Sequence, residues 1–198
     1  MDKLRERAVA FNKLVNIEYN IIFGKAGKLT HLTLTFDKKN FHHLIGFKYL
    51  EDRRGLLNKD RAKIFDAIIN NEITYCQICN SDFFYDIEKR FSAFVDIEHF
   101  LDNNGLIFKF NRKAKPAAKM QAKYIMESTA NNDTAYMCID KRDNQSKFFC
   151  RSFFPKEYDY TWGHIRHTLL YKEKVNVITR EKIVQYDKLT PKKGKKDN

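Results

Sequence analysis

The sequence predicts an α+β protein, with N-terminal helices packed on one face of a mostly antiparallel sheet. Two observations carry this. Through the first half, apolar residues recur at helical spacing. From residue 105 onward they alternate in short runs separated by Asn- and Asp-rich turns.

In order, residues 1–23 read as a helix. Leu4, Ala8, Phe11, Val15 and Ile22 lie near one face, and Gly24 and Gly27 stop it. Leu29 to Phe36 alternates as a strand, with Leu32, Leu34 and Phe36 on one side and an exposed His31 on the other. Asp37 or Asn40 caps a helix running from Phe41 to Leu50. Glu51 to Gly55 is a charged turn, and Asn58 caps a helix carrying Ile64, Phe65, Ile68 and Ile69. Ile73 to Ile78 is short and apolar and reads as a small strand. Asn80 or Ser81 opens a longer helix with a core face of Phe84, Ile87, Phe91 and Phe94, stopped at Asn103-Asn104-Gly105. Four strands follow at 106–110, 122–128, 134–140 and 148–154. Asn131 to Asp133 and Asp143 to Ser146 supply turns, and a hairpin pairs 168–177 with 182–186. Residues 1–190 form one domain on this reading, and 191–198 a disordered basic tail.

The 198 residues include 17 Phe and 10 Tyr and are 43% hydrophobic, enough to build a core. The formal net charge of +12 attracts polyanions, either nucleic acid or an anionic membrane surface. No apolar run approaches the roughly 20 residues that span a bilayer, and the N-terminus leads into no apolar core of the signal-peptide kind. A cytoplasmic location is the expectation, with nucleic acid the favoured polyanion and no membrane partner. A basic surface that serves only solubility is the plainer alternative. Cys76-x-x-Cys79 has metal-ligand spacing, but Cys138 and Cys150 do not make a second pair. Ordinary thiols are preferred, with no metal and no cofactor.

The stretch richest in chemistry is Phe41-His42-His43-Leu44-Ile45-Gly46. Imidazole titrates near neutrality and suits proton transfer. Helical residues are about 100° apart, so the two histidines cannot point the same way. A glycine one turn after His43 leaves room beside that ring. The alternative is a helix with one packed and one solvated histidine.

This His-Leu-x-Gly signature on a helix, preceded by the strand Leu29 to Phe36 and followed by further helices and a late antiparallel sheet, resembles the phage-associated branch of the Barnase–EndoU–ColicinE5/D–RelE-like nucleases. The specific part of the resemblance covers about ten residues. A looser architectural likeness covers residues 105–188. The resemblance implies a barnase-like sheet and a metal-independent endoribonuclease. Its RNA 2′-hydroxyl would attack phosphorus and leave a 2′,3′-cyclic phosphate, in the setting of phage–host conflict. By position in the motif, His43 is the candidate acid/base and His42 the alternate. A site with two histidines, as some members have, would take His167 as the second.

The remaining roles rest on chemistry. Arg151 could clamp phosphate, with strand alternation placing it opposite Cys150 and Ser152; a solvated sheet-face arginine is the alternative. Ser128 could bond phosphate or merely end a strand. Lys48, Arg112, Lys113, Lys115, Lys123 and Arg166 are candidate RNA contacts. Tyr160 and Trp162, in an aromatic cluster, suit stacking on unpaired bases or form a lid over the sheet. The implied partner is RNA, with a protein inhibitor or host factor as a further one. The competing reading is a noncatalytic basic inhibitor that binds nucleic acid or protein. A DNA-binding regulator ranks below both, for want of a recognition helix.

Overall fold

Asp2 opens the first helix by accepting the backbone N–H groups of Leu4 and Arg5. In the computed structural model, which describes residues 1–114, 122–142 and 146–191, this helix α1 (Lys3–Leu14) buries Leu4, Ala8, Phe11 and Leu14. It ends well short of the predicted residue 23. From Ile17 the buried positions fall two apart, at Tyr19, Ile21 and Phe23, and the chain forms strand β1 (Ile17–Lys25). Period-two burial belongs to a strand. β1 pairs antiparallel with β2 (Lys28–Thr35), the strand expected there.

Asp37 caps α2 (Lys38–Leu44), with the Asn40 side chain returning the bond to the Asp37 N–H. The helix stops before Leu50 because Gly46 sits at φ +96°, and Phe47–Tyr49 continues as a separate 3-10 turn. A further 3-10 turn (Glu51–Arg53) and a short helix α3 (Arg54–Leu57) occupy the charged segment. Asp60, not Asn58, caps α4 (Arg61–Ile69). The predicted small strand at 73–78 is instead a helix, α5 (Tyr75–Cys79), nucleated by reciprocal bonding of Thr74 and Gln77. The long helix expected from Asn80 or Ser81 is divided into α6 (Tyr85–Ala93), a 3-10 turn and α7 (Ile97–Asp102). Its core face holds: Ile87, Phe91 and Phe94 are buried.

The later strands fall within three residues of their predicted limits. They are β3 (Leu106–Lys109), β4 (Tyr124–Ala130), β5 (Asp133–Lys141), β6 (Phe148–Pro155), β7 (Ile165–Asn176) and β8 (Lys182–Asp187). Asn131 and Asn132, both at positive φ, turn β4 into β5. Residues 143–145 and 192–198 lie outside the described residues, and with them most of the predicted turn at 143–146 and of the predicted tail.

The sheet is not open as a barnase-like sheet would be. Its strands run β1-β2-β6-β5-β4-β3-β7, and β7 pairs back onto β1, so seven strands close into a barrel. The length of β7 makes closure possible. One of its edges lies along β1, while the other pairs first with β3 and then with β8, which stands outside the barrel. Closure removes exposed edges. The weakest seam is the parallel junction of β2 with β6, confined to Leu34↔Phe148 and Thr35↔Phe149. There the chain leaves β2 for α2, and α2 and α6 lie against β6.

One continuous core joins the helices to the barrel lining. Phe11 sits at its centre, its ring within about 6 Å of those of Phe36, Phe41, Phe65 and Phe94. A second, small cluster of Phe108, Ile125 and Tyr136 is covered by Phe110, Phe154 and Tyr160. Among the described residues no helix is long and apolar enough to cross a membrane.

Candidate active site

Where β2 gives way to α2, the residue that ends up beside β6 is His43. Its ring is partly buried. Four cations act on it, each from a different element: Lys48 from the following 3-10 turn, Arg61 from the start of α4, Arg90 from α6 and Arg151 from β6. Burial first, and then these charges, lower its pKa to about 4. His43 is therefore a neutral imidazole at pH 7, set in a strongly positive field.

Two irregularities of the backbone aim these groups. The first is Gly46. Its left-handed conformation turns the chain so that Lys48 and Tyr49 follow His43 closely. A Cβ at this position would come within 2.8 Å of Ile87 Cγ2 and 3.3 Å of Arg90 Cδ. The missing side chain thus admits α6 and its arginine. The second is a bulge between β5 and β6. Cys138 pairs with Ser152 and Ile139 with Cys150, leaving Arg151 as the extra residue. The simple alternation predicted for Arg151 is interrupted here. Its Nη1 donates to Asp140 Oδ2 at 2.6 Å, which fixes the guanidinium.

Tyr49 completes the group. Lys48 Nζ stands 4.7 Å and Arg90 Cζ 5.4 Å from its ring centroid. Burial alone would raise the phenol, but the hydrogen bonds and charges of Lys48 and Arg90 outweigh it and hold the pKa below the ordinary value. Tyr49 as a residue remains 39% exposed, so a ligand can reach it.

The structure thus brings together His43, Lys48 and Arg151 from the sequence-predicted set, and adds Arg61, Arg90 and Tyr49. Arg90 follows Ile87 by three residues, beside the buried face of α6. In sequence it looks like any arginine bordering an apolar stripe.

The other predicted residues lie elsewhere. His42 is buried against the Phe47 ring, with its Nε2 2.9 Å from the Leu57 carbonyl, and acts as packing. Ser128 is buried on β4 with its hydroxyl unpartnered, out of reach of a phosphate. His167 lies on β7, edge-on to Phe23 at 5.6 Å and near Lys25 and Lys109, with none of the His43 cluster among its neighbours. Tyr160 packs on Phe154 and Tyr136 at 5.0 and 5.4 Å, which makes it a cover for the outer cluster. Trp162 is 68% exposed. Arg112, Lys113, Lys123 and Arg166 are exposed near one end of β3, β4 and β7, and Lys115 falls outside the described residues. Cys138 and Cys150 are buried, and burial raises both thiols.

A neutral imidazole among lysine and arginine side chains can hold a phosphate and move a proton beside it. No curated protein and no solved structure matches the chain. A sequence-family profile does, from residue 3 to residue 189, and by that match the chain belongs to the family described as phage-Barnase-EndoU-ColicinE5/D-RelE like nuclease 4.

Proposed function

We propose that the His43 cluster is the active site of an endoribonuclease that needs no metal ion. The observation that carries this is the convergence of Lys48, Arg61, Arg90 and Arg151 on one neutral imidazole. Neutral His43 takes the proton of the RNA 2′-hydroxyl. The freed oxygen attacks the adjacent phosphorus, and the bond to the 5′-oxygen breaks, leaving a 2′,3′-cyclic phosphate. Lys48, Arg90 and Arg151 hold the phosphate and stabilise the charge that builds on it. Tyr49, its phenol biased toward proton release by Lys48 and Arg90, donates to the departing 5′-oxygen. The proton count balances, since His43 gains one and Tyr49 gives one. The phage association in the family's description favours a role in conflict between phage and host.

The test is incubation of the purified protein with total cellular RNA in EDTA, beside His43→Ala. Fragments ending in a 2′,3′-cyclic phosphate, lost in the variant, are the expected result. RNA left intact but shifted on a gel would overturn the catalytic reading and leave a noncatalytic binding protein.

A further inference from the structure

His167 is the predicted site residue that the His43 cluster does not absorb, and its surroundings form a second basic site. Residues opposite one another on paired strands share a face, as do residues two apart on one strand. Ile107 pairs with His167, Lys109 with Tyr124, and Lys141 with Phe148, while Lys25 shares a face with Phe23. The rings on this face meet across the barrel: Phe23 and Tyr124 at 4.9 Å, Phe23 and His167 at 5.6 Å, Tyr124 and Phe148 at 6.1 Å. They belong to strands β1, β4, β6 and β7, so they floor the barrel's interior. At its mouth stand Lys25, Lys109 and Lys141. Lys25 and Lys109 act on the His167 ring, and Lys141 Nζ lies 5.7 Å from the Phe148 centroid. Among the described residues none of the three is in an ion pair with a carboxylate. His167 Nδ1 is buried and has no hydrogen-bond partner.

We infer that this lysine-ringed mouth is a second RNA site, holding phosphates of a bound RNA strand. The inference rests on the RNA reading above. An RNA strand, with its several phosphates, fits better than a single small anion. Lys25, Lys109 and Lys141 come from three different strands, β1, β3 and β5, and so spread positive charge around the mouth.

The experiment measures binding of a single-stranded RNA of about a dozen nucleotides by the full chain carrying His43→Ala, from roughly 50 to 200 mM salt. Lys25→Gln, Lys109→Gln and Lys141→Gln are added together. A control removes the same charge elsewhere, at the exposed Lys13, Lys63 and Lys182. Each lost phosphate contact lowers the slope of log affinity against log salt by about 0.7 on a single strand, so the mouth variant should lose about 2. The control should lose far less. If the triple variant fails to fold, Lys109→Gln alone should lower the slope by about 0.7. Equal slopes in mouth variant and control overturn the inference. Cleavage by the unmodified protein separates the two readings. Cleavage with equal slopes sinks the mouth alone. No cleavage with a lowered slope sinks the nuclease and leaves an RNA site.

Discussion

Acid should press on His43 before most of the protein notices. The perturbation is protonation of an imidazole whose folded pKa is about 4 against an ordinary 6.5. Each pKa unit corresponds to about 1.4 kcal/mol, so charging the ring costs about 3 kcal/mol more in the folded protein than in the unfolded chain. Its partial exposure lets solvent screen some of this, and about 2 kcal/mol is the expected size. Because the folded pKa lies below the unfolded one, the unfolded chain takes up the proton first. The stabilisation is complete above pH 6.5 and is lost as pH falls toward 4. His43→Gln keeps the ring's approximate volume and cannot be protonated. Urea unfolding of both proteins at pH 7.5 and 4.5 should show the unmodified protein losing about 2 kcal/mol relative to the variant on acidification. Proton NMR of the ring should place its midpoint near 4. A stability difference that stays flat with pH, or a midpoint at or above 6.5, would refute the cationic, partly buried setting on which the proposed chemistry rests.

Other substitutions probe the supports of the site. Gly46→Ala adds a Cβ against Ile87 and Arg90 at φ +96°, and should cost roughly 2–4 kcal/mol in urea unfolding through backbone strain and overpacking. It should also displace Arg90 and lower any RNA cleavage more than it raises KM. Lys172 is buried, donates to the Asn103 carbonyl at 2.7 Å, and has its pKa pushed down by burial to about 8. The unfolded chain therefore holds more protons between pH 8 and 10, and stability rises with pH there. Lys172→Met should abolish about 2 kcal/mol of that rise between pH 7.5 and 9.5, read by the same unfolding assay. Ser128→Ala removes a buried hydroxyl that has no partner, so it should leave stability unchanged or raise it by up to about 1 kcal/mol, and leave RNA cleavage as it was.

The parts of this fold that a single sequence makes legible are those where local pattern and tertiary packing agree. Asn131-Asn132 tolerates positive φ at both turn positions, and the flanking residues alternate, so the β4–β5 hairpin declares itself. β1 does not. Its Ile22 extends the helical spacing of Leu4, Phe11 and Val15, and only pairing with β2 on one side and β7 on the other selects the strand. At Ile73 to Ile78 an apolar run suggested a strand, but the Thr74–Gln77 capping box was the stronger local signal and prevailed. Closure of the sheet depends on the reach of β7, a property of register that no window of sequence contains.

The candidate site shows the same limit more sharply. Periodicity can say which face of an element a residue occupies, and it put His42 and His43 on different faces; position in the motif, not periodicity, chose between them. It cannot say what stands opposite. Arg151 reaches its place as the extra residue of a bulge, and Arg90 reaches its own through the space left at Gly46. Each then meets a neighbour that holds it: Asp140 for Arg151, the Tyr49 ring for Arg90. What they achieve jointly is to bring positive charge to one imidazole. That concentration is unfavourable in the empty protein and is relieved by a bound phosphate, which argues for a ligand-binding purpose and against a merely structural histidine.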